Sequence, residues 1–133
     1  RPPVRQEWLF MKELMITTEP TQAGGHAVQV VRVAGYIDAH SFPRFEQEML
    51  ALINQGSFRL LLDLREATYI CSTALGLLMS VFRQVRHNAG DLVIAGMSDK
   101  IANIFNLLGF SKLIRAFSSE EEALQCLAMT EGQ

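Results

Sequence analysis

The sequence lacks paired cysteines, a surplus of basic charge and any long apolar run. Its two cysteines, Cys71 and Cys126, form no Cys-x-x-Cys pair and have no histidine at a ligand spacing, which argues against a zinc site or a disulfide scaffold. The net charge is −2, with 12 Lys and Arg against 14 Asp and Glu. Such a chain lacks the positive field that attracts nucleic acid or anionic lipid. We therefore expect no nucleic-acid partner and a reducing, cytoplasmic compartment.

No apolar segment approaches the length of about 20 residues that a membrane helix needs, so membrane insertion is not expected. The 133 residues, 49% hydrophobic and 20% charged, suit one globular domain with a sizeable core. We predict an N-terminal extension over residues 1–14, a single domain over residues 15–129 and a C-terminal tail over residues 130–133.

Short β-rich runs alternate with amphipathic stretches, a pattern typical of α/β folds. Residues 15–18 and 27–34 predict two strands, joined by a hairpin turn at Gly24 and Gly25, with the first strand at a sheet edge. The continuous apolar run over residues 59–64 predicts a strand that is buried on both faces. Two shorter strands are predicted over residues 92–95 and 114–117.

Four stretches have helical periodicity, and each has a start or stop signal. Ser41 and Gly56 bound the first, Ser72 and Gly90 the second, Ser98 and Gly109 the third, and Ser119 with Glu122 forms a capping box for the fourth. The predicted order is β-β-α-β-α-β-α-β-α: an α/β fold with a small mixed sheet and about four covering helices.

The sequence carries no recognisable catalytic constellation, so we predict that the protein is not an enzyme and holds no metal or cofactor. The histidines, His26, His40 and His87, are scattered and lack an evident partner. Ser72 is not flanked by the glycines of a Gly-x-Ser-x-Gly nucleophile turn. The Gly24 and Gly25 pair is not followed by Gly-Lys-Ser/Thr, so it does not predict a phosphate loop.

The segment between the buried strand and the second helix has the strongest functional signal. The strand is predicted to end at Leu64, a polar loop to cover residues 65–70, and the helix to open with Ser72 and Thr73. Two hydroxyls then lie at the positive end of a helix dipole. The simplest interpretation is that one of them is an N-cap, worth about 1 kcal/mol.

This segment resembles the phosphorylation loop of the STAS domain family, which includes anti-anti-sigma factors and the tail domains of sulfate transporters. The family pattern reads roughly Asp-Leu, a short spacer, then Ile-Asp-Ser-Ser/Thr-Gly-Leu-Gly. Residues that match it are Asp63, Leu64, Ile70, Ser72, Thr73, Leu75 and Gly76. Residues 35–38, 90–96 and 107–114 are similar to further family segments, and the resemblance covers residues 15–128.

The resemblance implies an anti-sigma factor antagonist. Its partner would be a serine kinase that is also the anti-sigma factor, and phosphorylation of Ser72 would turn binding off. A serine phosphatase would be a further partner. The implied docking surface comprises Asp38, Cys71, Ser72, Thr73, Ala74, Leu75 and Gly76.

Two positions depart from the family pattern: Cys71 replaces an Asp and Ala74 replaces a Gly. These departures favour a second hypothesis, a non-switching scaffold subunit of a transporter complex or of a larger sensory assembly. Alanine would add a methyl group near the docking surface. Cys71 is interpreted as an inert thiol in the Asp position, with redox sensing at a helix N-terminus as the alternative.

The predicted extension contains four consecutive large apolar residues, residues 8–11, of sequence Trp-Leu-Phe-Met. One interpretation is an added helix or strand that packs on the domain. The other is a contact with a partner or with a second copy of the chain, since exposed apolar clusters mark contact surfaces. The extension would then support a homodimer.

Overall fold

The computed structural model describes residues 13–129, so the predicted role of residues 8–11 lies outside the described residues. Five strands are present in this range: β1 (Met15–Ala23), β2 (His26–Ile37), β3 (Arg59–Ile70), β4 (Asp91–Ala95) and β5 (Arg115–Phe117). Four α-helices connect or follow them: α1 (Phe42–Asn54), α2 (Ser72–His87), α3 (Asp99–Leu107) and α4 (Glu120–Met129). One 3₁₀ turn, Phe110–Lys112, precedes β5. The predicted element order is confirmed.

The strands form one mixed sheet in the order β1-β2-β3-β4-β5. β1 pairs antiparallel with β2, while the remaining neighbours pair in parallel. The hairpin pairs Ala23 with His26 across Gly24 and Gly25, whose φ angles are 58° and 81°. Two successive positive φ angles are what a tight hairpin turn requires, so the predicted turn and the edge position of β1 are confirmed.

Helices cover both faces of the sheet. On one face α1, α2 and α3 bury a large apolar core around Phe45, Leu78 and Phe105. On the other face α4 buries a smaller cluster that includes Val30, Leu61 and Leu127. Residues 60–64 of β3 are buried without interruption, as predicted for a central strand.

The predicted loop over residues 65–70 is wrong, because β3 continues to Ile70. This half of β3 still pairs with β2, from Glu66 opposite Ala34 to Ile70 opposite Ile37. The pairing with β4 ends at Asp63, so one side of the strand is open and tolerates polar residues. Two register shifts interrupt the β2–β3 ladder, and they hide the two-residue alternation that identifies a strand in a sequence.

The two residues Ala89 and Gly90, which follow α2, have special backbone requirements. Gly90 is the predicted stop signal of this helix, and the residue with a left-handed conformation is Ala89, with a φ of 64°. Gly90 is required for another reason: a Cβ there would lie 1.8 Å from the carbonyl oxygen of Phe58. The glycine thus permits close approach of two backbone segments.

Candidate functional site

The candidate site lies where β2 and β3 end. The two strands are parallel, with Ile37 opposite Ile70, so the residues that follow them meet at one edge of the sheet. The backbone N–H of Cys71 donates to the carbonyl oxygen of Ile37 at 2.8 Å. This bond places the turn after β2, which begins with Asp38, beside the start of α2.

Asp38 organises the turn that leads into α1. Its carboxylate oxygen Oδ1 accepts the backbone N–H groups of His40 and Ser41, each at 3.0 Å. These bonds, led by the one from Ser41, lower the pKa of the Asp38 carboxyl below its ordinary value of 3.8. The Ser41 hydroxyl donates to the Tyr36 carbonyl oxygen at 2.6 Å and makes no capping bond to α1. Asp38 therefore has a structural role in the half-buried turn beside the site.

The N-terminus of α2 has no side-chain cap. Cys71 occupies the N-cap position with extended backbone angles, φ −81° and ψ 163°, and its thiol makes no capping hydrogen bond. Ser72 is the first helical residue, and both Ser72 and Thr73 are exposed. Within residues 13–129 neither hydroxyl has a hydrogen-bond partner. The interpretation of either hydroxyl as an N-cap is therefore wrong.

The other predicted docking residues divide between the surface and the core. Ala74 and Leu75 are buried beneath α2, with 0% and 2% of their surface exposed. Neither side chain can touch a partner in this conformation. Gly76 is exposed, with no atom within 4 Å of the place where a Cβ would be. Cys71 is partly buried against the core, so Ser72, Thr73 and Gly76 form the exposed part of the helix start.

An aromatic pair beside this surface was missed by the sequence analysis. Tyr36 and Tyr69 lie opposite one another in the β2–β3 register, with ring centroids 6.3 Å apart. Tyr69 is 40% exposed and lies two positions before Cys71. The run Thr68, Tyr69, Ile70 is rich in β-forming residues and was the available signal.

Two of the three histidines lie away from Ser72, whereas His40 lies in the turn after β2. His26 begins β2 and His87 ends α2, so both lie at the opposite end of the sheet from Ser72. No group of three or more His, Cys, Asp or Glu side chains suited to a metal ion occurs in residues 13–129. Over the same range, each helix is too short or too polar to cross a membrane.

Comparisons with known proteins agree with this architecture. The family model of the STAS domain matches residues 19–123. The anti-sigma-B factor antagonist of Listeria monocytogenes is 32% identical over 90 residues, which cover 68% of this chain and 79% of the relative.

Two solved structures share the fold. The crystal structure of an anti-sigma factor antagonist from Mycobacterium paratuberculosis superposes with a TM-score of 0.78 at 21% identity, covering 87% of this chain and 95% of the other. The Bacillus protein SpoIIAA in its phosphorylated form superposes with a TM-score of 0.65 at 19% identity, covering 84% and 98% of the two chains. The family model and the Listeria relative together cover most of the described range, and the chain belongs to the STAS domain family.

Proposed function

We propose that this protein is an anti-sigma factor antagonist that binds a serine kinase/anti-sigma factor, and that phosphorylation of Ser72 ends this binding. On this proposal the chain is the kinase's substrate and regulator, not an enzyme, and it acts in the cytoplasm. A serine phosphatase would return it to the binding state. The similar proteins named above support the proposal, since they are described as anti-sigma factor antagonists and one was solved in a phosphorylated form.

The observation that carries the proposal is the accessibility of the Ser72 hydroxyl. It is exposed, lies on the first residue of α2, and makes no hydrogen bond within residues 13–129. A kinase can therefore reach it without breaking an internal contact. Ser98 differs, because its hydroxyl accepts the backbone N–H of Ile101 at 3.2 Å and caps α3.

A phosphate at this position would change binding rather than folding. It adds about −1.5 to −2 charges, and the positive end of the α2 dipole tolerates an anion. The first turn of α2 contains no acidic residue that would repel it. A partner surface that fits a neutral hydroxyl would instead have to desolvate this charge, and each 1.4 kcal/mol or so of penalty weakens binding about tenfold.

The two departures from the family pattern have unequal weight. The methyl group of Ala74 is fully buried, so it does not alter the surface that a partner would meet. Cys71 is partly exposed, and the missing carboxylate removes a group that would help to position Ser72 for a kinase. This change at Cys71 is the observation that favours the second candidate, a non-switching scaffold subunit.

The test is affinity capture from the native lysate, with quantitative mass spectrometry of the bound proteins. The baits are wild type, Ser72→Ala, Ser72→Asp and, as a matched control on the neighbouring hydroxyl, Thr73→Asp. We expect a serine kinase to be captured by wild type and Ser72→Ala, and at least about tenfold less by Ser72→Asp than by Thr73→Asp. With ATP added, the phosphate should map to Ser72.

Other outcomes would contradict the switch. If all four baits retain the same partner to the same extent, for example a transporter subunit, the scaffold hypothesis replaces it. A phosphate that maps to another residue, while Ser72 stays unmodified in the presence of a captured kinase, would also overturn the proposal.

A further inference from the structure

A second surface with the character of a binding site lies far from Ser72. A groove of about 1270 Å³ is bounded by the second half of α2, the start of β4, the end of the 3₁₀ turn, β5 and the end of α4. Ser72 begins α2 and His87 ends it, so the groove and the candidate phosphorylation site lie at opposite ends of a helix about 24 Å long.

The lining of the groove is rich in basic side chains. Arg83, Arg86, Lys112 and Arg115 line the groove, and Asp91 is the one acidic side chain among its lining residues in the described range. The whole chain has a net charge of −2, so the positive charge of the groove is a local excess. Such a patch attracts a ligand or partner of opposite charge.

The positive charge of these side chains is only partly compensated by ion pairs. The buried carboxylate of Asp91 pairs with Arg115 and lies 3.9 Å from Arg86. Arg83 and Lys112 are exposed and have no ion-pair partner within residues 13–129. These two cations are therefore available to an external anion.

Apolar side chains also line the groove. Phe82 and Phe117 contribute aromatic surface, and Leu113 and Met129 are 55% and 83% exposed. Exposed apolar side chains that line one groove together offer a contact surface. A groove with both cationic and apolar side chains complements a segment that has acidic residues on one side and apolar residues on the other.

We propose that this groove docks an acidic amphipathic segment of a partner protein, independently of Ser72. Nucleic acid fits less well, because a phosphate backbone gains nothing from the apolar side chains of the groove. The segment would contact Arg83 and Lys112 through carboxylates and cover Leu113 and Met129 with apolar side chains.

The test uses fluorescence anisotropy with a labelled peptide of repeated Glu-Leu-Leu-Glu units. A matched peptide of repeated Lys-Leu-Leu-Lys units and a DNA duplex serve as the other two probes. The variants are Lys112→Glu, Arg83→Glu and, as a control with the same charge change on exposed α3, Lys100→Glu. Ser72→Asp is included to separate this surface from the proposed switch.

We expect saturable binding of the acidic peptide, weakened at least about tenfold by Arg83→Glu and by Lys112→Glu, and by no more than about twofold by Lys100→Glu. Binding should weaken as salt is added, and Ser72→Asp should bind as the wild type does, whether or not Ser72 is a switch.

The proposal is overturned if the acidic peptide does not bind, if the basic peptide binds equally well, or if Lys100→Glu has the same effect. Tighter binding of DNA that is lost in Arg83→Glu and in Lys112→Glu would reassign the groove to nucleic acid. Concentration-dependent self-association that Lys112→Glu abolishes would assign it to a second copy of this chain.

Discussion

Arg32 on β2 holds the first residue of α4 through a bidentate ion pair. Its Nε and Nη2 atoms donate to the two carboxylate oxygens of Glu120 at 2.7 and 2.9 Å, and its Nη1 donates to Glu19 on β1 at 2.6 Å. One planar guanidinium thus joins the two antiparallel strands to the helix that covers this face of the sheet. Parallel N–H donors of this kind cannot be reproduced by an ammonium group.

Arg32→Lys should therefore lower the free energy of unfolding by about 0.5 to 1 kcal/mol, a modest loss because the Arg32 side chain is 42% exposed and screened by water. Urea denaturation followed by far-UV circular dichroism measures it. Arg83→Lys is the matched control, since Arg83 has no ion pair within the described range. An equal loss in both variants would mean that the bidentate geometry contributes nothing.

The pKa values of Asp63 and Glu120, which lie in the same cluster, are shifted in opposite directions. Burial, followed by a hydrogen bond with Glu120, raises the pKa of Asp63 to about 6. The hydrogen bond from Arg32 is the main cause that lowers the pKa of Glu120 to about 2. The folded protein therefore favours a shared proton on Asp63 beside an ionised Glu120 in mildly acidic solution.

The signs of the two pH effects follow directly. Glu120 has an ordinary pKa of 4.5, so its contribution to stability is present above that pH and is lost as pH falls toward 2. Asp63 has an ordinary pKa of 3.8, so the folded state binds the extra proton and loses stability as pH rises from about 4 to 6. The Asp63 contribution to the unfolding free energy should fall by about 1 to 2 kcal/mol across that second window.

Asp63→Asn tests this prediction, because an amide keeps the acceptor for the Arg65 backbone N–H, 2.8 Å from Oδ1, and carries no charge. We expect the variant to lose the decline between pH 4 and 6 and to be more stable than wild type at pH 7.5 by about 1 to 2 kcal/mol. Denaturation at several pH values measures both effects. Parallel pH profiles for the two proteins would show that Asp63 does not hold the proton.

The elements that could be predicted are those whose local sequence pattern reflects their burial or their turn geometry. The apolar run over residues 59–64 and the paired Gly24 and Gly25 are such patterns, and both led to correct assignments. The second half of β3 could not be predicted, because its register shifts against β2 break the alternation and its open side admits polar residues.

The local structure of the candidate site could be predicted only in part from the sequence. The motif indicated where α2 begins, at Ser72, but side-chain direction depends on how the helix packs. The burial of Ala74 and Leu75 and the lack of a partner for the Ser72 hydroxyl among residues 13–129 therefore depend on tertiary packing. The approach of Gly90 to Phe58 is likewise set by two segments that are distant in the sequence.

The positions after α2 give a test of the backbone. Ala89 has a left-handed φ of 64°, which costs an alanine more than a glycine. Ala89→Gly should raise the unfolding free energy by up to about 1 kcal/mol.

Gly90→Ala should lower the unfolding free energy by about 2 to 3 kcal/mol. A Cβ at this position would clash with the carbonyl oxygen of Phe58, and that oxygen is held in place because it accepts the Asp91 N–H at 2.8 Å. Thermal denaturation of both variants checks the pair, and a stable Gly90→Ala would contradict the close approach.

The N-cap position of α2 offers a gain in stability. Cys71 has the extended backbone of an N-cap but makes no capping hydrogen bond. Cys71→Asp places a carboxylate where it can accept a backbone N–H of the first turn and interact with the helix dipole. We expect the free energy of unfolding to rise by about 0.5 to 1 kcal/mol, with Cys71→Ala as the control that removes the thiol without adding an acceptor. If the two variants have the same stability, the N-terminus of α2 is already satisfied.

A stability comparison separates a free hydroxyl from a capping one. The Ser72 hydroxyl has no hydrogen-bond partner within residues 13–129, so Ser72→Ala should change the unfolding free energy by less than about 0.3 kcal/mol. Ser98→Ala should cost about 1 kcal/mol, because it removes the acceptor of the Ile101 N–H at 3.2 Å. Ser72→Asp should be as stable as wild type or slightly more stable, since an acidic residue in the first turn is favoured by the dipole. Urea denaturation of the three variants measures this. A loss in Ser72→Ala equal to that in Ser98→Ala would show that Ser72 supports the helix, and any loss of partner binding in Ser72→Asp could then no longer be assigned to charge alone.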